Sequence, residues 1–422
     1  VRIMVIGGGG REHAIVWALG KSEKVSKLFC APGNAGIAEL AECVPIPVNR
    51  FDDLIQFACD NEVDLVVVGP DDPLADGIVD AFEERNISVY GPRKNAAEIE
   101  GSKIFMKNLL KKYDIPTAKY ETFTDYESAM AYLQQQEAPI VVKADGLAAG
   151  KGVTVAYSIQ EAEEALHGMM VGKVFGESGG RVVIEEFLEG QEMSILAFVD
   201  GATVRAMVPA QDHKPVYDND KGPNTGGMGT YSPLPHIDPA LVADAIEHII
   251  KPTAKAMVSE GRPFRGVLFA GLMITKQGVK TIEFNARMGD PETQVVLPRL
   301  KTDLLDIILA SLNGRLDQLE IEWSDEAAVC VIAASEGYPG PYPKGLPIAG
   351  LEAAKAQGAL IFHAGTSLKD GRIVTNGGRV LGIVGRGRDI AEARARAYEA
   401  VSVIQFDGMH SRTDIAAKAL RG

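Results

Sequence analysis

The stretch VVKADGLAAGKGV, residues 141–153, decides what kind of nucleotide fold the chain can carry. An apolar run ends at Lys143, and glycines follow at 146, 150 and 152 with Lys151 between the last two. Glycine-rich backbone can turn its N–H groups inward as an anion nest, and the two lysines add charge. The spacing excludes a Walker loop, because three residues separate Gly146 from Gly150 and neither Ser nor Thr follows Lys151. Any ATP bound here must sit in a different architecture; the bland alternative is a flexible hairpin.

N-terminal to this stretch, residues 1–101 alternate short apolar strands (RIMVI, KLFCA, DLVVVG, SVYG) with helices near Arg11–Leu19, Asp52–Ala58 and Ala75–Glu84. That rhythm predicts a doubly wound, parallel α/β sheet. Ligands of such sheets bind at the carboxyl ends of the strands, where GGGG (7–10), APGNAG (31–36) and GPDDPL (69–74) fall. A strand, glycines and then a helix favour an anion at the helix N-terminus. A dinucleotide fingerprint fails, however: counted from Gly7 its third glycine is Glu12, counted from Gly8 it is His13, and the next strand lacks a ribose-binding acid. This disfavours a nicotinamide oxidoreductase. His13, inside the helix, reads as structural.

C-terminal to it, a helix is expected from Gln160 to Met170, and GGRVVIEEFLEGQEMSILAFVDG (179–201) reads as an apolar hairpin with Glu185, Glu186, Glu189 and Glu192 along its edge. Those acids are either solvated or face a ribose, an adenine or a metal. Long strands over 191–210 and 265–286 flank a loop and a helix over 239–260, and an α+β segment starts near Ala327. In TIEFNARMGDPETQ (281–294), a strand's period of two puts Glu283, Asn285 and Arg287 on one face and Phe284 and Ala286 on the other. A carboxylate beside an amide oxygen suits Mg²⁺, and an arginine there can stabilise charge on a transferred phosphoryl group. The loop AQDHKPVYDNDKGPNTGGMGTYSP (210–233) is long and rich in Gly, Asp and Asn, which favours ligand binding over a disordered insertion.

The 422 residues allow about three domains. With 46% hydrophobic and 24% charged residues, the composition is that of an ordered globule. A net charge of −14 argues against sequence-independent nucleic-acid binding. Cys30, Cys43, Cys59 and Cys330 form no CxxC pair and are expected to be reduced, buried and structural. The chain shows no basic leader and no apolar run of spanning length, so a cytosolic protein is expected.

Together QDHK, GPNTGGMG and EFNARMGDPE, preceded by GGGGREHA and GPDDPL, make the chain resemble the ATP-grasp superfamily, whose two α+β lobes clamp ATP. Within it, the chain resembles the phosphoribosylamine–glycine ligase family of purine biosynthesis over essentially its whole length. Three departures are visible: Met288 where the family has Phe, Pro215 where a basic residue commonly follows QDHK, and Asp72 where Glu is usual. The resemblance implies an N-terminal α/β domain (1–101), an ATP-grasp domain (102–326) with a mobile lid over about 119–188, and a C-terminal α+β domain (327–422). It implies ATP and Mg²⁺ (or Mn²⁺) as cofactors. Lys103 and Lys143 would contact the phosphates, Glu185, Glu186, Phe187 and Leu188 the adenine edge, and Glu192 the ribose. Glu283 and Asn285 would hold the metal, and Arg287 and Asp212 would be catalytic. Gly10, Asn34, Asp72, Pro73, Asp212, Lys214, Thr225, Gly226, Gly227, Arg287 and Asp290 would bind glycine and 5-phosphoribosylamine, in a monomer with no nucleic-acid or membrane partner. A carboxylase acting on bicarbonate and a non-catalytic nucleotide-binding module are the competing readings.

Overall fold

The computed structural model describes residues 1–421. The N-terminal sheet is wholly parallel, in the order Glu42–Cys43, Lys27–Pro32, Arg2–Gly7, Leu65–Val68, Ser88–Tyr90. Chain progression reverses beside Arg2–Gly7, so the glycine turn opens at the point where a doubly wound sheet offers a crevice. The expected helix there is Gly10–Leu19. The helix expected over 75–84 is instead two short ones, Asp71–Ala75 and Ile78–Glu83, broken at Gly77 with φ +93°.

The glycine-rich stretch lies in an antiparallel sheet of its own, ordered Tyr120–Phe123, Val182–Glu186, Ile140–Ala144, Val153–Ala156. Helices Tyr126–Leu133 and Ile159–Met170 cover one face and enclose a separate small core of Leu133, Val142, Leu166 and Ile184. Asp125 and Ser158 cap these helices, accepting from Ser128 N and Glu161 N. Each such cap is worth about 1 kcal/mol.

Three expectations for the middle of the chain need correction. Residues 179–201 do not form a hairpin: Val182–Glu186 belongs to the sheet just described, and Gln191–Asp200 to a second one, ordered Thr203–Ala206, Gln191–Asp200, Arg265–Thr275, Gly278–Asn285. The connector passes so close to that second sheet that a methyl group at Gly190 would lie 1.9 Å from Ile274 O, and Gln191–Asp200 then pairs along its whole length with Arg265–Thr275. The strands expected over 191–210 and 265–286 are likewise hairpins, of Gln191–Asp200 with Thr203–Ala206 and of Arg265–Thr275 with Gly278–Asn285. The helix expected over 239–260 is one helical run with a π-turn over Ile246–Ile250.

The last large sheet is ordered Gln211–Asp212, Gly229–Ser232, Ala327–Ala334, Arg379–Gly387, Leu360–His363, with helix Ile390–Val403 packed on it. Residues 229–232 thus pair with Ala327–Ala334 on one side and with Gln211–Asp212 on the other, which brings both short strands into the sheet of the C-terminal part. All four cysteines are free; Cys30 and Cys330 are buried as expected, but Cys43 is half-buried and Cys59, on the outer face of helix Phe51–Asp60, is exposed. Met288 is buried among apolar neighbours, so the exchange for Phe is one of packing. Among the described residues, no helix is long and apolar enough to cross a membrane.

Candidate active site

Lys143, next to last in the strand Ile140–Ala144, is buried at 4% exposure, its ammonium group paired with Glu185. The other oxygen of Glu185 lies 2.6 Å from Lys107 Nζ. Burial would raise the Glu185 carboxyl, but Lys143 and then Lys107 outweigh it and hold the pKa below the usual carboxylate range. One buried carboxylate therefore faces two ammonium groups, leaving a surplus positive charge suited to an anion. Lys103 Nζ donates to Gly146 O at 3.0 Å, and Asp145 accepts from Ser102 Oγ and Ile104 N, so the glycine-rich strap is tied to the start of helix Lys103–Lys112. Burial lowers the Lys103 pKa, with Glu283 the largest opposing charge.

The segment leading into Tyr120–Phe123 ties this sheet to the second one. Thr117 Oγ1 donates to Thr281 O at 2.8 Å, and Glu186 accepts from Lys119 N while lying 3.5 Å from Lys280 Nζ. Phe187 and Leu188 are half-buried in the connector, with the Tyr157 ring 6.1 Å from Phe187; Glu189 and Glu192 are exposed. Of the four acids first read as one edge, Glu185 is consumed by lysines and Glu192 stands across the connector on the other sheet.

On the strand Gly278–Asn285 and just beyond it, Glu283, Asn285 and Arg287 share the accessible face while Phe284 and Ala286 are buried. Gly271 faces Glu283, and a methyl group there would stand 3.3 Å from Glu283 Cγ. The Asn285 side-chain nitrogen donates to Phe284 O at 3.1 Å, and Asn285 shares its face of the strand with Glu283. Two hard oxygens on one face fit a divalent cation that draws its other ligands from phosphate and water. Among the described residues no cluster of three or more His, Cys, Asp or Glu could hold a metal alone. Arg287 Nη2 lies 3.0 Å from Glu100 Oε1, and Glu100 Oε2 accepts from Ala286 N at 2.7 Å. Arg287 Nε is buried without a partner, a donor left over for a ligand. Sequence reading missed Glu100: an acid at the end of helix Lys94–Gly101 looks solvated until the fold buries it.

Asp212 and Lys214 flank His213 at the edge of the last sheet. Asp212 Oδ1 accepts from His213 N, Oδ2 is buried with no hydrogen bond, and Lys214 Nζ stands 3.6 Å away. Burial, reinforced by the Glu292 carboxylate and opposed by Lys214, pushes the Asp212 pKa up to about 7. Gly227, with φ +126°, packs against it: a methyl group there would lie 2.7 Å from both carboxylate oxygens. Thr225 Oγ1 accepts from Gly227 N and donates to Lys214 O, which shapes the GPNTGGMG turn.

A polar cavity of about 370 Å³ opens beside this cluster. Gly8, Gly9, Gly33 and Asn34 wall it from the N-terminal sheet, Asp290 from the turn after Arg287, and Tyr338, Thr366, Asn376 and Arg379 from the C-terminal part. Asn34 donates to Gly8 O and His363 O, locking two walls together. The helix N-terminus behind the glycine turn is already filled by carboxylates, since Glu12 accepts from Gly9 N and Asp290 from Arg11 N. The cation left facing the cavity is Arg379, which donates to Asp290 O at 3.0 Å and lies 3.6 Å from its carboxylate. Burial would raise the Asp290 pKa, but Arg379 and Arg11 hold it below the usual range. Gly10 is buried against Gln294 rather than lining the cavity, Pro73 is buried, and Asp72 is exposed at the start of its helix. None of the C-terminal wall was legible in the sequence, where Tyr338 and Asn376 stand singly on loops, Thr366 and Arg379 open the strands Thr366–Lys369 and Arg379–Gly387, and no spacing recurs.

The phosphoribosylglycinamide synthetase family matches the chain in three consecutive parts: its N domain over residues 1–100, its ATP-grasp domain over 101–293 and its C domain over 328–418. The chain belongs to this family. A phosphoribosylamine–glycine ligase from Caldanaerobacter subterraneus subsp. tengcongensis is 54% identical over 99% of this chain and 100% of its own. One from Halalkalibacterium halodurans is 50% identical over 100% and 97%. The crystal structure of the Thermotoga maritima phosphoribosylamine–glycine ligase superposes with a TM-score of 0.87 at 35% identity, covering 99% of this chain and 100% of that one. A biotin carboxylase domain from Hydrogenobacter thermophilus, bound to magnesium ADP and bicarbonate, shares the fold with a TM-score of 0.71 at 16% identity, over 97% and 91% of the two chains. The protein is therefore an ATP-grasp ligase of purine biosynthesis, an enzyme class that uses ATP and a divalent metal ion with small-molecule substrates.

Proposed function

We propose that the protein joins glycine to 5-phosphoribosylamine at the expense of ATP, giving glycinamide ribonucleotide, ADP and phosphate. The observation that carries this reading is one turn: residues 286–290 link the polar face of Glu283, Asn285 and Arg287 directly to Asp290 in the cavity wall. A phosphoryl donor on the first surface and a phosphorylated sugar in the second would thus meet over a few residues. The cavity's size suits such a small ligand.

A carboxylate is a poor electrophile. In the proposed sequence the glycine carboxylate takes the γ-phosphoryl group, and the amine of phosphoribosylamine attacks the resulting glycyl phosphate, releasing phosphate and one proton. The protein's contribution is mainly placement and charge. Lys103, Lys143 and the strap would hold the phosphates, with the connector Glu186–Leu188 along the adenine edge and Glu192 at the ribose. Arg287, held by Glu100 with Nε still free, would donate to the transferring group and the acyl phosphate. Glu283 and Asn285 would hold Mg²⁺ or Mn²⁺, which neutralises phosphate charge when bound. Lys214 and Thr225–Gly227 would hold glycine, and Asp212, titrating near neutrality, is suited to take the proton from the attacking amine. The ribose phosphate would lie between the 8–9 and 33–34 turns and Thr366, Asn376 and Arg379. We place the domains at 1–101, 102–326 and 327–422, with 119–188 closing over ATP because an acyl phosphate must be kept from water.

The test is a coupled ADP-release assay with each substrate omitted in turn. Release that needs ATP, glycine and phosphoribosylamine together is expected. Release supported by bicarbonate, or ATP binding with no substrate-dependent turnover, would overturn the assignment.

A further inference from the structure

The loop that carries Lys214 and Thr225–Gly227 includes a two-stranded hairpin, Pro215–Tyr217 with Lys221–Asn224, which pairs with no other sheet. An isolated hairpin is marginally stable in water. Its turn is also strained, since Asn219 and Asp220 both adopt left-handed backbone, with φ of 60° and 56°. Something else must hold this loop in shape.

The segment His410–Lys418 does so. Arg412 is fully buried, with its side chain at 0% exposure. Its Nε and Nη2 donate to the two oxygens of Asp414 at 2.8 Å each, Nη1 to Pro215 O at 3.1 Å and Nη2 also to Asp220 Oδ1 at 3.1 Å. Asp414 in turn accepts from Asn219 N at 2.9 Å, so the first left-handed residue is fixed by the same carboxylate. Thr413 N donates to Asp218, Lys418 Nζ to Asp220, and His410 Nε2 lies 2.8 Å from Val216 O. The grip covers residues 215–220 and ends one position short of Lys214.

We infer that the segment His410–Lys418 acts as a clasp that sets the substrate loop, and that Arg412 is a positioning residue acting through Pro215 and Asp220 on Lys214 and the 225–227 turn. The guanidinium touches no reacting atom. It fixes where the loop's polar groups stand when glycine arrives, and so rests on the reading of that loop as the glycine site. Replacing it with an aliphatic side chain leaves Asp414 without its guanidinium partner and Asp220 held by Lys418 alone beside a strained turn, and the hairpin then opens locally.

The test uses the enzyme as Arg412→Met, Arg412→Lys and the milder Lys418→Ala, whose side chain is half-exposed. Hydrogen exchange of amides 214–225 should speed up about tenfold in Arg412→Met, with the parallel sheet at residues 2–7 unchanged. In the same variant kcat/KM for glycine should fall about 100-fold through misplacement of the loop, while fluorescent ATP-analogue binding is retained. Arg412→Lys should restore part of both losses and Lys418→Ala should show smaller changes of the same pattern. Unchanged exchange in all three variants, or faster exchange with unaltered glycine kinetics, would overturn the inference. The exchange measurement does not depend on which substrates are turned over. A failure of the glycine assignment would instead appear as no glycine dependence in the unmodified enzyme.

Discussion

Asp212→Asn separates the chemistry of the cluster from its energetics. The folded protein lifts this carboxyl from 3.8 to about 7, chiefly by burial and then by Glu292. A carboxyl whose folded pKa is raised contributes stability that is complete below its unfolded value and is lost as pH climbs through the folded one. Between pH 5 and 8.5 the native protein should therefore lose about 3 kcal/mol of stability through this group, at 1.36 kcal/mol per pKa unit. Asparagine keeps the shape and the bond from His213 N but cannot ionise. Urea unfolding at several pH values should show the variant gaining on the native protein by about 3 kcal/mol over that range. Turnover with saturating substrates should fall about 100-fold or more if the carboxylate takes a proton from the amine. Parallel pH–stability curves for the two proteins would refute the electrostatic account, and undiminished turnover would remove Asp212 from the reaction.

Arg287→Ala should lower turnover by about 10²- to 10³-fold with nucleotide binding retained, measured by ADP release and equilibrium binding; unchanged turnover would remove Arg287 from the mechanism. Glu283→Ala should abolish the response of activity to added Mg²⁺, and a normal metal titration would refute its role. Amides 119–186 should gain exchange protection when ATP is added, and a segment indifferent to ATP would count against lid closure.

The parallel N-terminal sheet was legible because its strands are continuous apolar runs set between amphipathic helices, a pattern local in sequence. The alternating face of Glu283, Asn285 and Arg287 was legible for the same reason, since a period of two needs only five residues to declare itself. The misread hairpin at 179–201 shows the opposite case. Two strand-like runs four residues apart normally pair, but here the second run pairs along its whole length with Arg265–Thr275 in another sheet, and Gly190 passes close over Ile274 O at the crossing. Glu100, Lys107, Arg379 and Arg412 were invisible because a lone charge looks solvated until the fold buries it against partners far away in sequence. Asp290 and Arg379, 89 positions apart, meet only in three dimensions.

The ladder running from Gln211–Asp212 through Gly229–Ser232 to Ala327–Ala334 bears on any attempt to shuffle this enzyme with a relative. A crossover at 326/327 looks natural on a linear map, yet it would set Thr230 of one parent against Cys330 of the other, and Tyr231 against Val329, within a continuous hydrogen-bonded register. Splitting the gene at the same place would leave each product with a raw sheet edge prone to aggregation. Recombination near residue 101 crosses no strand pair and is the better joint.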